Sequence, residues 1–285
     1  MTRIPPAVTA GTLDVPGAHL YYELRGTGPL LALVGAPMDA AAFAPSAELL
    51  AADHTVLTTD PRGHRSSTLA DPTRDSTPEL RADDLARLIT QVNAGPATVF
   101  GSSGGAVTAL ALAQARPDLV TTVIAHEPPI DALLADRDAH RAATEDIIAT
   151  YAVGDVLGAW RKFFAAANIP MPEQALAQMF GPDRDPQQVA GERYWFAHEL
   201  RGTTTWEPDL LTLQSVPARL VVGIGADSAG QFCDRTSRAL AAALDVAPTM
   251  FPGGHTGFAD DPAAFAVRLR EIASTPCHPE AAESP

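Results

Sequence analysis

Two residues in this chain have the setting of a nucleophile and its base. Ser103 lies in Gly101-Ser102-Ser103-Gly104-Gly105, with glycine two positions away on either side. The small flanking residues let neighbouring backbones pass closely. Upstream, Ala97-Thr98-Val99-Phe100 has the character of a short buried strand; downstream, Gly105 to Ala115 is an alanine-rich helix pattern that stops before Pro117. A serine at such a strand-to-helix turn faces free N–H groups at the helix start, which favour developing negative charge. A serine hydroxyl is a weak nucleophile and needs a general base within hydrogen-bond reach. His255 is the candidate. It follows the strand-like Thr249-Met250-Phe251 and the pair Gly253-Gly254, which predicts a loop at a strand end. The chemistry this implies is attack of Ser103 on a carbonyl carbon, with the proton passed to His255.

The imidazole in turn needs a carboxylate that fixes its tautomer and stabilises its charged form. Two positions compete. Glu127 follows the apolar run Val120 to Ala125 and precedes Pro128-Pro129, and Asp227 lies in the turn Gly225-Ala226-Asp227-Ser228 after the run Leu220 to Ile224. A glutamate at a strand end before two prolines is an odd choice for structure alone. The reading leans to Glu127 and leaves Asp227 open. The other histidines have weaker settings. His64 reads as structural, His126 as a residue near the pocket because it precedes Glu127, and His140, His198 and His278 as exposed.

The elements that must hold these groups follow from periodicity. Thr12 to Val15 and His19 to Leu24 flank Pro16-Gly17 and predict a hairpin. Leu30 to Val34 is an unbroken apolar run, as in strands buried on both faces of a parallel sheet. Helix-like stretches (Ala44 to Ala52, Leu80 to Val92) then alternate with strand-like ones (His54 to Thr58, Leu119 to Ala125). This β-α-β-α order predicts an α/β fold, a mostly parallel sheet with helices on both faces. From about Pro128 to Ser215 the rhythm breaks into a helix-like stretch that holds Trp160, Trp195 and Trp206. The predicted organisation is a core over 1–129, an inserted helical cap over 130–212, a second part of the core over 213–275, and a polar, disordered tail over 276–285. Aromatic residues in the cap suggest an apolar substrate.

The chain has 285 residues and a formal net charge of −14, with Lys162 its only lysine. That surface repels nucleic acid and anionic membranes. It points to a small, neutral or cationic substrate and away from polyanions. Cys233 and Cys277 form no CxxC pair and have no His at metal-ligand spacing, so neither a disulfide framework nor a structural zinc site is predicted. The first residues show no leader-like apolar stretch and no run is long enough to span a bilayer. The expectation is a cytoplasmic enzyme of undetermined oligomeric state.

Four motifs in order resemble the α/β-hydrolase superfamily, in its serine-nucleophile esterase, lipase and haloperoxidase-like branch. They are Leu33-Val34-Gly35-Ala36-Pro37, the loop Asp60-Pro61-Arg62-Gly63-His64-Arg65-Ser66-Ser67, the Ser103 turn, and Phe251-Pro252-Gly253-Gly254-His255. The resemblance implies an oxyanion hole made by the N–H groups of Gly104 and Ala36. It implies hydrolysis through an acyl-enzyme with no metal or organic cofactor. Val34 departs from the family's usual histidine. The usual acid position falls at Ser228, one residue past Asp227, whereas some members place the acid where Glu127 stands. Ser103 argues against the aspartate-based dehalogenases and epoxide hydrolases of the same superfamily. A cofactor-free perhydrolase, a C–C bond hydrolase and a non-hydrolytic binding or biosynthetic protein remain as alternatives.

Overall fold

A computed structural model of the chain describes residues 7–275. The sequence tail over 276–285, with Cys277 and His278, and the first six residues lie outside the described residues. The chain opens with β1 (Val8–Val15) and β2 (Ala18–Arg25), joined at Pro16-Gly17, and then β3 (Leu30–Val34), α1 (Ala40–Leu50), β4 (Thr55–Thr59) and β5 (Thr68–Leu69). It continues through α2 (Pro78–Val92), β6 (Ala97–Ser102), α3 (Gly104–Ala115) and β7 (Val120–His126). Helices α4 (Arg137–Ala152), α5 (Val156–Ala166), α6 (Glu173–Phe180), α7 (Pro186–His198), α8 (Leu200–Thr204) and α9 (Leu210–Ser215) follow without an intervening strand. The chain then returns to β8 (Arg219–Gly225), α10 (Phe232–Ala243), β9 (Thr249–Phe251), α11 (Gly257–Asp260) and α12 (Pro262–Ala273).

The strands form one sheet in the order β1-β2-β4-β3-β6-β7-β8-β9, with β5 paired to β2. From β4 to β9 every pairing is parallel, and only the β1-β2 hairpin, β2-β4 and β2-β5 are antiparallel. The unalternating apolar runs are explained by this burial. All of Leu30–Val34 and all of Ala97–Ser102 are buried, because helices cover both faces. One apolar cluster joins α2 and α3 to the sheet through Leu85, Leu88, Val107 and Leu110. A second joins α1 and α12 to the opposite face through Phe43, Phe100, Phe251 and Phe265. A third, separate cluster holds Ile147, Trp195, Phe196 and Leu200 within the α4–α8 helices.

Helix α1 begins earlier than its periodicity predicts. Asp39 caps α1 by accepting from the Ala42 N–H, so the helix starts before Pro45 rather than at Ala44. Pro45 therefore lies inside α1, where it forgoes the bond that an N–H would make to the Ala41 carbonyl. Helix α10 starts at Phe232, which brings Cys233 into its first turn. Trp206 is grouped with the helical cap by sequence, yet it packs in the main core and donates to Glu79 at 2.8 Å.

The loop after β4 fastens this framework. The Asp60 carboxylate accepts from Ala40 N–H at 2.9 Å and from Ser66 N–H at 3.0 Å. Ser67 Oγ donates to the Asp60 carbonyl at 2.7 Å and accepts from Tyr21 N–H at 2.9 Å. Arg62 grips Asp84 of α2 with two bonds of 2.6 Å, both side chains being buried. Breaking such a pair by removing one partner costs about 3–5 kcal/mol, because the survivor is left uncompensated.

Candidate active site

Ser103 sits between the end of β6 and the first residue of α3, in a left-handed conformation with φ 56° and ψ −125°. A non-glycine residue there is strained, and such strain concentrates at functional sites. The turn is pinned because Ser103 N–H donates to the His126 carbonyl of β7 at 2.9 Å. Packing explains its glycines. A Cβ at Gly105 would lie 2.2 Å from the Val34 carbonyl oxygen, and one at Gly104 would lie 2.4 Å from that of Ala36. Both distances are impossible for real side chains, so α3 can seat against the end of β3 only with glycine at its start. The same closeness brings the backbone of Ala36 beside that of Gly104, both residues being buried. Pro37, which follows Ala36, has no N–H to offer.

Glu127 leaves β7 in a second left-handed conformation, φ 53°. Its N–H donates to the Gly223 carbonyl of β8 at 3.0 Å. Its side chain is fully buried, with Oε1 accepting from Gly225 N–H at 2.8 Å and Oε2 lying 2.5 Å from His255 Nδ1. Burial opposes the charged carboxylate, but the bond and charge of His255 prevail and hold it down at about 2. The imidazole responds in the opposite direction. Burial opposes its charged form, yet Cys233 and Glu127 together push it up to about 10.

Asp227 is exposed, and its N–H donates to the Gly253 carbonyl at 3.0 Å. It braces the loop that carries His255, while its neighbour Ser228 is fully buried on the Glu127 side and helps to lower that carboxyl. The geometry thus joins His255 to Glu127 and leaves Asp227 outside the pair. Ser103, Gly104, Ala36, Pro37 and His255 all line one cavity of about 550 Å³. The Ser103 hydroxyl makes no hydrogen bond to His255, whose ring instead has Cys233 as a near neighbour.

The cavity wall is mostly apolar. Met38, Trp160, Phe163, Phe164, Trp195 and Phe232 supply much of it, with Asp131, His140 and Thr144 as polar points. Its size falls within the usual range for small-molecule sites. His140, expected to be exposed, is half-buried and stacks near Phe232 at 4.6 Å. His126, expected near the pocket, is instead enclosed by Phe100, Phe251 and Phe265 and lies 3.2 Å from Ser102 Oγ. Burial lowers it to about 4, so it stays neutral there. His64 is buried and bonded to Glu199 at 2.9 Å, a structural pairing. Cys233 carried no signal in the sequence, because the group that it meets comes from distant segments.

Among the described residues, no helix is long and apolar enough to cross a membrane. Residues 30–268 match the model of the Alpha/beta hydrolase family. The chain is 32% identical over 272 residues to the uncharacterized hydrolase YraK of Bacillus subtilis (strain 168), covering 93% of this chain and 96% of that one. It is 33% identical over 168 residues to the zearalenone hydrolase of Bionectria ochroleuca, covering 54% of this chain and 62% of the relative. Among solved structures, an alpha/beta hydrolase from Sphaerobacter thermophilus DSM 20745 superposes with a TM-score of 0.61 at 26% identity, covering 86% of this chain and 91% of that one.

Proposed function

The chain belongs to the alpha/beta hydrolase family, and from that premise we propose that it cleaves a small or medium, largely apolar carboxylic ester or lactone through an acyl-enzyme on Ser103. The observation that carries this reading is the pairing of buried Glu127 with half-buried His255 at 2.5 Å, the imidazole lining the same cavity as Ser103. Ser103 Oγ attacks the carbonyl carbon while His255 takes its proton. The N–H groups of Gly104 and Ala36 hold the oxyanion, and Glu127 stabilises the imidazolium. His255 then returns the proton to the leaving alcohol. Water, activated by the same imidazole, attacks the acyl carbon and frees the acid.

For the first transfer the imidazole must close on Ser103 Oγ. Such contacts are often loose without substrate and tighten in the Michaelis complex. The apolar wall supports a neutral substrate. A lactone is an ester whose acid and alcohol share one molecule, so it falls within the same class. The helices α4–α8 serve as the cap in this reading, a role supported by Trp160, Phe163 and Trp195 lining the same cavity as Ser103.

A fluorophosphonate probe tests the nucleophile directly. The expected result is one adduct per chain, mapped by peptide mass to Ser103. A folded protein left unlabelled, or labelled elsewhere, overturns the reading. Alongside it, p-nitrophenyl esters of several chain lengths and a macrocyclic lactone define the acyl and alcohol preference.

The raised His255 value makes the pH dependence specific. Only the neutral imidazole accepts the serine proton. Activity is therefore low below the His255 pKa and rises as pH passes through it. After subtraction of spontaneous hydrolysis, kcat/KM should climb on a limb whose midpoint lies above that of an ordinary histidine. A limb at or below the ordinary value would remove His255, paired as described, from the role of base.

A further inference from the structure

Cys233 stands in the first turn of α10 and lines the same cavity as His255. One oxygen of Glu127, the Sγ of Cys233 and one ring nitrogen of His255 all lie within 4.8 Å of one another. A carboxylate, a thiol and an imidazole together make a donor set for a borderline or soft divalent cation. Zn²⁺ binds these donors at about 2.0–2.3 Å, so tetrahedral ligand atoms sit about 3.3–3.8 Å apart. The Glu127–His255 contact of 2.5 Å must open by about an ångström and the half-buried thiol must close by no more than about that, which a loop-borne imidazole allows.

We propose that Glu127, Cys233 and His255 form a three-ligand site for a thiophilic divalent cation of the Zn²⁺ class, whose occupancy turns hydrolysis off. The carboxylate and the thiolate balance the two positive charges. The thiol gives its proton to solvent on binding, so affinity rises with pH. The fourth coordination position is left to water or to a ligand in the cavity. Mg²⁺ and Ca²⁺ are poor occupants, because they prefer an all-oxygen shell.

Inhibition follows from the valence of the imidazole. A neutral ring has one proton and one free nitrogen lone pair. Once the cation takes that lone pair, the remaining nitrogen carries the proton and nothing is left to accept one from Ser103. This inhibitory half rests on the reading of His255 as the base; the binding half does not.

The test uses the full chain, freed of metal by a chelator and titrated with Co²⁺ as a spectroscopic stand-in for Zn²⁺. A Cys277→Ser background removes the second cysteine as a source of signal. The expected result is one Co²⁺ per chain, with a thiolate-to-cobalt absorption band that Zn²⁺ abolishes and Mg²⁺ does not. Cys233→Ser and Cys233→Ala in that background should lose the band and bind at least about 100-fold more weakly. Circular dichroism establishes that they are folded. Zn²⁺ should lower ester turnover at least about tenfold, with recovery on adding chelator, each variant being compared with itself. A band that survives in folded Cys233→Ala, or the lack of stoichiometric binding, overturns the site. A full thiolate band with unchanged turnover overturns the inhibitory role. A metal-binding chain that never labels at Ser103 overturns the hydrolase reading and leaves the site standing.

Discussion

Replacing Ser103 by alanine should lower kcat for ester hydrolysis by at least about 10⁴-fold, with little change in KM or in thermal stability. The alanine removes the attacking oxygen and leaves the cavity, the Gly104 and Ala36 backbone and the Glu127–His255 pair in place. The left-handed φ of residue 103 is set by the bond to the His126 carbonyl and by the packing of α3, and alanine meets the same strain as serine. Residual turnover would come from the oxyanion donors and from substrate binding. Steady-state kinetics on the most reactive ester, with differential scanning calorimetry as a folding control, provide the check. A variant within tenfold of the parent would show that Ser103 is not the nucleophile.

The second large effect separates the two carboxylates. Glu127→Gln should lower kcat by about 10⁴-fold, since an amide can hold the ring by its other edge and select the wrong tautomer. It also removes the charge that stabilises the imidazolium. The rising limb of kcat/KM should then move to lower pH, because the His255 pKa loses one of the contacts that raises it. Asp227→Asn should stay within about twofold, as Asp227 is exposed and its brace on the His255 loop is made by backbone N–H. The opposite pattern, with a collapse in Asp227→Asn and a mild effect in Glu127→Gln, would assign the acid to Asp227.

Much of this framework is legible in the amino-acid sequence. The runs Leu30 to Val34 and Ala97 to Phe100 announced two-sided burial, because a strand covered on both faces cannot alternate. The glycines around Ser103 announced a close approach, and α3 lying against the Val34 carbonyl is that approach. The choice between Glu127 and Asp227 was harder. Both end neighbouring parallel strands, and chain order alone does not say which one reaches the imidazole. The left-handed backbone at Glu127 aims its side chain along β8 toward Gly225 and His255. No simple residue preference signals that conformation in a glutamate. His126 was misread for a related reason. A histidine beside a site residue on a strand faces the other way, and here it falls among phenylalanines. Cys233 was invisible because its significance depends on three segments that meet only in the folded chain.

The pairing of β6 with β7, Ser102 opposite His126, has a consequence for how the site comes into being. The serine and the glutamate belong to one continuous strand–helix–strand unit, whereas the bond from Glu127 to His255 spans 128 positions of sequence. As the chain leaves the ribosome, Ser103 and Glu127, the proposed nucleophile and acid, emerge nearly together. His255, the proposed base, arrives only after the whole α4–α9 stretch and β8 have been made. If Ser103 and His255 act as proposed, a nascent chain should stay unreactive toward a serine-directed probe until β9 docks, and labelling would read out completed folding.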